Sequence, residues 1–364
     1  MKVALLSRAV APRDAIGTDL THMARILSRR HTCGVYAEHM ELDDLEQLDE
    51  AALLQLAGDP ANLIIYHHSL YWREIERILQ RARAQVVIRY HNITPPAFFR
   101  EFSPVLARDC RMGRDQTKRL QQRRSFRWMG DSLYNLQDAG VAGRDDVKVV
   151  PPFNNIEDWS HKTPDAALLR RLIESRTINL LFVGRSAPNK GLDFILKIVA
   201  DYVSGFDDRI VLHVVGKRYP LTAAYDEMLS RQVKELGIEK NVRWAGVVDD
   251  ERLLAYFLGC DFYVNCSLHE GFCVPLVEAQ SLCLPVLTRR AGAQSGTLGE
   301  AQLLLGEDPA EYSAAIHHLS RPWEREARDF LRQAGTANYH NRFTNQVIEE
   351  QFEQALEAWT GEPT

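Results

Sequence analysis

The chain has 364 residues, of which 45% are hydrophobic and 26% charged, a balance that fits about two globular domains and excludes disorder, collagen-like repeats and small disulfide scaffolds. Forty-four Lys and Arg against 49 Asp and Glu leave a net charge of −5, the opposite of a nucleic-acid footprint, so no nucleic-acid partner is expected. Cys33, Cys110, Cys260, Cys266, Cys273 and Cys283 form no Cys-x-x-Cys pair and sit mostly in apolar runs, which reads as reduced core thiols and no zinc site. The opening Met1 to Leu6 is too short for a signal peptide and no apolar run reaches 18 residues, so the expected location is the cytoplasm.

Short β-branched runs alternate with longer amphipathic stretches, the pattern of parallel strands crossed over by helices. Strands are expected at Val3 to Ser7, Asn62 to His67, Gln85 to Tyr90, Phe126 to Gly130 and Val147 to Val150. Glu41 to Glu50 carries six carboxylates with Leu42, Leu45 and Leu48 at helical spacing, which predicts a solvated helix with one buried stripe. Arg111, Arg114, Lys118, Arg119, Arg123, Arg124 and Arg127 face a single acid, Asp115. That stretch reads as a solvated helix or, following Phe98, Phe99 and Phe102, as a surface for an anionic acceptor or the inner face of a membrane.

After Pro151-Pro152 the pattern restarts, with strands expected at Ile178 to Val183, Ile210 to Val215, Val242 to Ala245, Asp261 to Cys266, Pro285 to Thr288 and Gln302 to Leu305. Two α/β domains follow: residues 1–155, and residues 156–325 joined near 151–160. Ile348, Phe352, Ala355 and Trp359 give the last helix one apolar face, and the terminal stretch, about 326–364, is expected to pack back on the first domain. Ligands of two facing sheets of this class bind at the carboxyl ends of the strands, in the cleft between domains.

Two segments after strands carry the chemistry. Gly184 to Gly191 places two glycines, Arg185 and Lys190 before an amphipathic helix, a place for phosphate that is neither a Walker loop nor a dinucleotide turn. Taken alone it is more often an exposed strand-to-helix loop with incidental cations. The second segment follows Asp261 to Cys266 and reads Ser267-Leu268-His269-Glu270-Gly271-Phe272-Cys273-Val274-Pro275-Leu276-Val277-Glu278-Ala279. Pro275 is placed to start a helix, putting Glu270 on a loop and Glu278 on the helix. His91, ending the strand Gln85 to Tyr90, is by itself more often a packing residue than a functional one.

With these phrases in family order along nearly the whole chain, the sequence resembles retaining glycosyltransferases of the two-Rossmann-domain (GT-B) type, close to glycosyltransferase family 4 with its Glu-x7-Glu motif. The resemblance implies that Arg185 and Lys190 hold the diphosphate of a nucleoside diphosphate sugar. It implies that Glu278 accepts ribose hydroxyls, and that Glu270, with Gly271, Phe272, Cys273 and Val274, grips the donor sugar. Gly184 would turn the phosphate loop, Val247 and Val248 would meet the base, Gly17 would let backbone approach the donor, and His91 would make a polar contact to the sugar. The implied enzyme is a hexosyltransferase acting on a glycan or lipid-linked acceptor in bacterial polysaccharide or glycoconjugate assembly. No cofactor is expected, and no metal, because no Asp-x-Asp follows a strand and two cations stand at the diphosphate. Departures are Ile16-Gly17-Thr18 for a glycine pair, Leu282-Cys283-Leu284 after the second glutamate, and Arg289 to Gln294 for a second glycine pair. The rival readings are an inactive glycan- or partner-binding protein, and a nucleotide-sugar epimerase or phosphorylase on the same fold.

Overall fold

A computed structural model describes residues 1–12 and 14–361. The chain divides into unit 1 (1–96, 107–155 and 343–364) and unit 2 (97–106 and 156–342). Each holds one six-stranded, all-parallel sheet.

In unit 1 the strands are β1 (Lys2–Val10), β2 (Thr32–Met40), β3 (Leu63–His68), β4 (Gln85–Tyr90), β5 (Arg127–Gly130) and β6 (Val147–Val149), in the order β2-β1-β3-β4-β5-β6. Near-continuous apolar runs such as Leu63 to Tyr66 are buried on both faces, as a parallel sheet covered by helices requires. The helix Asn345–Thr360 sets Ile348, Phe352, Ala355, Leu356 and Trp359 into the same core as Val3, Leu5 and Ile65. Phe352 meets Phe153 edge to face at 6.1 Å.

Two features of unit 1 depart from expectation. The strand β2 has no apolar run to announce it: its second half reads Tyr36-Ala37-Glu38-His39-Met40 and lies at the sheet edge, partly in solvent. The acidic stretch is not a helix before Glu50. Residues 41–49 run beside β2, with Val35 N–H donating to Glu46 O (2.8 Å) and Leu48 N–H to Val35 O (2.8 Å). Leu42 and Leu45 pack on the unit 1 core, and Leu48 covers Gly34. The helix begins at Glu50, capped by Asp49 accepting from Ala52 N–H (2.7 Å). Edge pairing thus satisfied the backbone that helical spacing of three leucines had suggested would pair with itself.

In unit 2 the strands are β7 (Ile178–Val183), β8 (Ile210–Val215), β9 (Val242–Gly246), β10 (Phe262–Asn265), β11 (Val286–Arg289) and β12 (Leu303–Leu305), in the order β12-β11-β10-β7-β8-β9. Chain order reverses between β7 and β10, so the loops that follow these two adjacent strands flank a topological switch point, where open α/β sheets bind ligands. The two phrases singled out in the sequence are those two loops. Phe98 and Phe102 belong to this unit, packing on His269 (6.2 Å) and Tyr225 (5.2 Å), so they do not extend the basic stretch.

Candidate functional site

At the unit 2 switch point, the loop after β7 turns through a 3-10 segment, Pro188–Lys190, into the helix Leu192–Gly205. Gly191 between them has φ +67°, and a Cβ there would lie 2.1 Å from the Cys266 carbonyl oxygen at the end of β10. Only glycine allows both the left-handed turn and that approach. The approach brings the second loop in: Leu268 N–H donates to Asn189 O (2.8 Å), and Asn189 Nδ2 to His269 O (3.2 Å).

Lys190 Nζ then lies 2.6 Å from Glu270 Oε1, with Ser267 Oγ donating to the same oxygen at 2.7 Å. Glu270 is buried, and Gly292 passes so close that a Cβ would sit 2.8 Å from the Glu270 backbone N and O. The loop is fixed further by Ala293 N–H donating to Glu270 O (3.0 Å) and Thr297 Oγ1 to Phe272 O (2.8 Å). Cys273 takes a left-handed conformation (φ +78°) just before the helix Val274–Ser281, which has Pro275 in its first turn as expected. Burial pushes the Cys273 thiol well above its usual range, which suits a packing residue whose Sγ accepts from Asn265 Nδ2 at 3.0 Å.

Glu278, on that helix, is half-buried and accepts no hydrogen bond at its carboxylate from the described residues. Burial, with Asp250 adding repulsion, pushes its pKa up to about 8. A carboxylate held in so poorly solvated a place is a candidate to receive ligand hydroxyls. Arg185 is exposed and Gly184 opens its loop with φ +155°. Val247 is 67% exposed after β9, and Val248 packs below it on the unit 2 core. The Arg218 guanidinium lies 4.7 Å over the Trp244 ring, between the ends of β8 and β9. Sequence reading overlooked Ser267, Asn189 and Arg218. The first two could have been found from their places beside the two phrases.

In unit 1, Gly17 lies in the first turn of the helix Ala15–Leu27, and its N–H donates to Asp14 Oδ2 (3.3 Å). A Cβ at Gly17 would lie 2.5 Å from Ala11 O, an internal reason for glycine. His91 sits among buried polar groups at the carboxyl ends of β3, β4 and β5. Its Nδ1 is 3.0 Å from Asp131 Oδ2 and its Nε2 is 2.9 Å from His67 Nδ1, so both ring nitrogens are engaged inside the unit. Since a carboxylate only accepts, His91 donates from Nδ1 to Asp131 and, when neutral, accepts at Nε2 from His67. Burial and the neighbouring His91 hold the His67 imidazolium far below its usual range, so His67 is neutral. Arg89 donates to Asp19 Oδ2 (2.9 Å), Asp19 Oδ1 (3.3 Å) and Val150 O (2.5 Å), and lies 3.2 Å from Asp131 Oδ1. Asp19, His67 and His91 together bring three metal-ligating atoms within 4.8 Å of one another.

In the basic stretch Arg111, Lys118, Arg119, Arg123 and Arg124 are exposed, whereas Arg114 and Arg127 are partly buried. Arg114 pairs with Asp138 (2.9 Å), Arg119 with Glu76 (2.6 Å) and Lys118 with Asp115 (3.3 Å). Arg123 donates to Gln80 O (2.5 Å) and Arg127 to Gln85. No helix among the described residues is long and apolar enough to cross a membrane.

Residues 170–336 match the family Glycosyl transferases group 1. The chain is 32% identical over 162 residues to D-inositol 3-phosphate glycosyltransferase 2 of Catenulispora acidiphila, covering 43% of this chain and 35% of that one. It is 30% identical over 195 residues to D-inositol 3-phosphate glycosyltransferase of Acidothermus cellulolyticus, covering 51% and 43%. The match therefore spans less than half the length of these relatives. In structure the chain is similar to Anabaena Alr3699/HepE in complex with UDP and glucose, with a TM-score of 0.73 and 18% identity over 98% of this chain and all of that one. It is likewise similar to sucrose-phosphate synthase from Thermosynechococcus elongatus, with a TM-score of 0.74 and 16% identity over 99% of each. The fold is that of GT-B glycosyltransferases, and its second unit carries the group 1 match.

Proposed function

We propose that this protein is a retaining glycosyltransferase that moves a sugar from a nucleoside diphosphate sugar to a hydroxyl of a glycan or glycolipid, in the assembly of a bacterial polysaccharide or glycoconjugate. The reading rests chiefly on one observation: two loops at the unit 2 switch point place Lys190 on Glu270, with the exposed cation Arg185 on the first loop. It is supported by the group 1 match at 170–336 and by a structural neighbour that binds UDP and glucose.

On this reading Glu278 accepts the ribose hydroxyls, and Val247 with Val248 lines the base. Arg185 and Lys190 neutralise the diphosphate as the bond from the anomeric carbon to phosphate oxygen breaks, a task suited to fixed cations and needing no divalent ion there. Glu270 then holds sugar hydroxyls together with backbone of Gly271 to Val274. The acceptor oxygen attacks from the face the diphosphate leaves and passes its proton to the departing phosphate oxygen, which preserves the anomeric configuration. The rate gain comes from positioning and charge stabilisation. A polar contact from His91 to the sugar would require one of its two internal hydrogen bonds to open. UDP is the first nucleotide to test, given the neighbour's ligand. The inositol phosphate relatives favour a second acceptor class, a small phosphorylated polyol.

The test is a thermal-shift and calorimetry panel of UDP, GDP, ADP and their sugars, since a true donor raises the melting temperature by mass action. One nucleotide series should stabilise the chain, and NMR of the product should show the donor's anomeric configuration. Failure of every nucleoside diphosphate to bind would leave the inactive, partner-binding reading.

A further inference from the structure

Two donors from different loops share one oxygen of Glu270. Lys190 Nζ lies 2.6 Å from Oε1 and the Ser267 hydroxyl donates to the same atom at 2.7 Å, so neither takes Oε2. A tenth of the Glu270 side chain stays open to solvent, enough for a ligand to reach the carboxylate.

The two donors differ in what an arriving anion does to them. Lys190 is an ammonium on a flexible four-carbon stem, and a diphosphate competes for its charge. Ser267 is fully buried and uncharged, on a side chain with a single heavy-atom torsion, so the same anion exerts no comparable pull on it. Its backbone is fixed as well. Ser267 N–H donates to Asn265 Oδ1 (2.9 Å) at the end of β10, and the Asn265 carbonyl accepts from Thr288 Oγ1 (2.9 Å) on β11. The Lys190 carbonyl oxygen, 3.5 Å from Ser267 Oγ, is too far to compete for the hydroxyl proton.

We propose that Ser267 is a positioning residue for the donor sugar: its hydroxyl keeps hold of Glu270 Oε1 while Lys190 moves to the diphosphate, leaving the rest of the carboxylate to the sugar hydroxyls. The role rests on the glycosyl-transfer reading above and adds to it what holds Glu270 once its ion pair opens. Without the hydroxyl, a carboxylate in so poorly solvated a place has no internal donor after Lys190 leaves. It then turns away from the sugar or retains Lys190 against the diphosphate. The cost falls on the sugar and on turnover more than on the nucleotide.

The test is a double-mutant cycle on the full chain, with UDP and UDP-glucose, or the GDP or ADP counterparts if that series is the one that stabilises the chain. Ser267→Ala should slow release of the nucleoside diphosphate from the sugar nucleotide about ten- to a hundredfold, the usual effect of losing a hydrogen bond to a charged group. Affinity for the nucleoside diphosphate alone should stay close to native. In a Glu270→Ala background the same substitution should have no further effect on rate or on sugar-nucleotide affinity, because its partner is gone. Ser267→Cys, which keeps the volume with a weak donor, should fall between Ser and Ala. A native rate in Ser267→Ala, an equal loss of affinity for the nucleoside diphosphate, or an undiminished effect in Glu270→Ala overturns the role and leaves the glycosyl-transfer reading standing. If Ser267→Ala does not fold, Ser267→Cys decides: a native rate overturns the role. Binding of no nucleoside diphosphate by the native chain overturns the reading itself, and this role with it.

Discussion

Lys190 Nζ and Glu270 Oε1 lie 2.6 Å apart, joining two loops that are 80 residues apart in sequence but follow adjacent strands. Both side chains are largely buried, so each keeps the other's charge from being stranded. On the proposed reading the pair opens when a diphosphate draws Lys190 away and sugar hydroxyls take its place on Glu270. Lys190→Ala should therefore do two separable things. Turnover should fall on the order of a hundredfold or more, as when a partner of transition-state charge is removed. The ligand-free chain should also lose about 1–3 kcal/mol, because Glu270 is left with Ser267 alone. Denaturant titration and steady-state kinetics on the same preparation measure the two. Turnover close to native would remove Lys190 from the diphosphate.

Glu278 gives a pH signature with a definite sign. Its native pKa is pushed up to about 8 from the ordinary carboxyl value of 4.5, so between those limits the native chain holds a proton that the unfolded chain has released. Stability then falls as pH rises through this window, and the penalty is fully present above the native pKa. Glu278→Gln carries no such penalty. Its melting temperature should match the native chain's near pH 5 and exceed it increasingly toward pH 8, while nucleotide affinity falls about tenfold or more through loss of the ribose acceptor. A constant difference in melting temperature across pH 5–8 would contradict the native-state protonation.

Gly191 is where two backbone requirements of its loop meet, a positive φ and a carbonyl in the space of a side chain. Gly191→Ala should cost more than about 2 kcal/mol, since neither strain nor overlap relaxes without moving the end of β10. Chemical denaturation measures it. Retained stability with normal nucleotide binding would show that the loop tolerates a different path.

How far the sequence could be read follows from where each residue draws its partners. The strands β4, β7 and β8 are legible because buried parallel strands need continuous apolar runs, whereas β2 is edge-exposed and carries no such signal. The two unit 2 loops were legible as phrases because turns, a helix start and charges occur together within a dozen residues. Their direct pairing was not, since nothing in one loop states that Gly191 touches Cys266 in the other. The five-member polar cluster of unit 1 was hidden for the same reason. Of Asp19, His67, Arg89, His91 and Asp131, only His91 stands out by position, because the others become neighbours only once β1, β3, β4 and β5 are side by side. Within the basic stretch the pairings of Arg114 with Asp138 and of Arg119 with Glu76 were equally unreadable, because those acids are distant in sequence.

Arg89 offers the last test, because it is fully buried and holds the exit of unit 1 as well as its polar cluster. Its guanidinium joins Asp19, Asp131 and the Val150 carbonyl, and Asp19 in turn accepts from Phe153 N–H, so one side chain organises strand ends and the segment that follows β6. Arg89→Met keeps the volume but strands two carboxylates, and should cost at least 3 kcal/mol at pH 7, in the range seen when one partner of a buried pair is removed. Arg89→Lys should recover little, because an ammonium cannot reproduce a planar fork shared among three acceptors. Lowering the pH should narrow the gap between Arg89→Met and the native chain, as the stranded carboxylates take up protons and cease to be charged. Urea titrations at pH 5 and pH 7 measure this directly. An equal cost at both pH values would mean that Arg89 acts through packing and its Val150 hydrogen bond, and that the carboxylates find other partners.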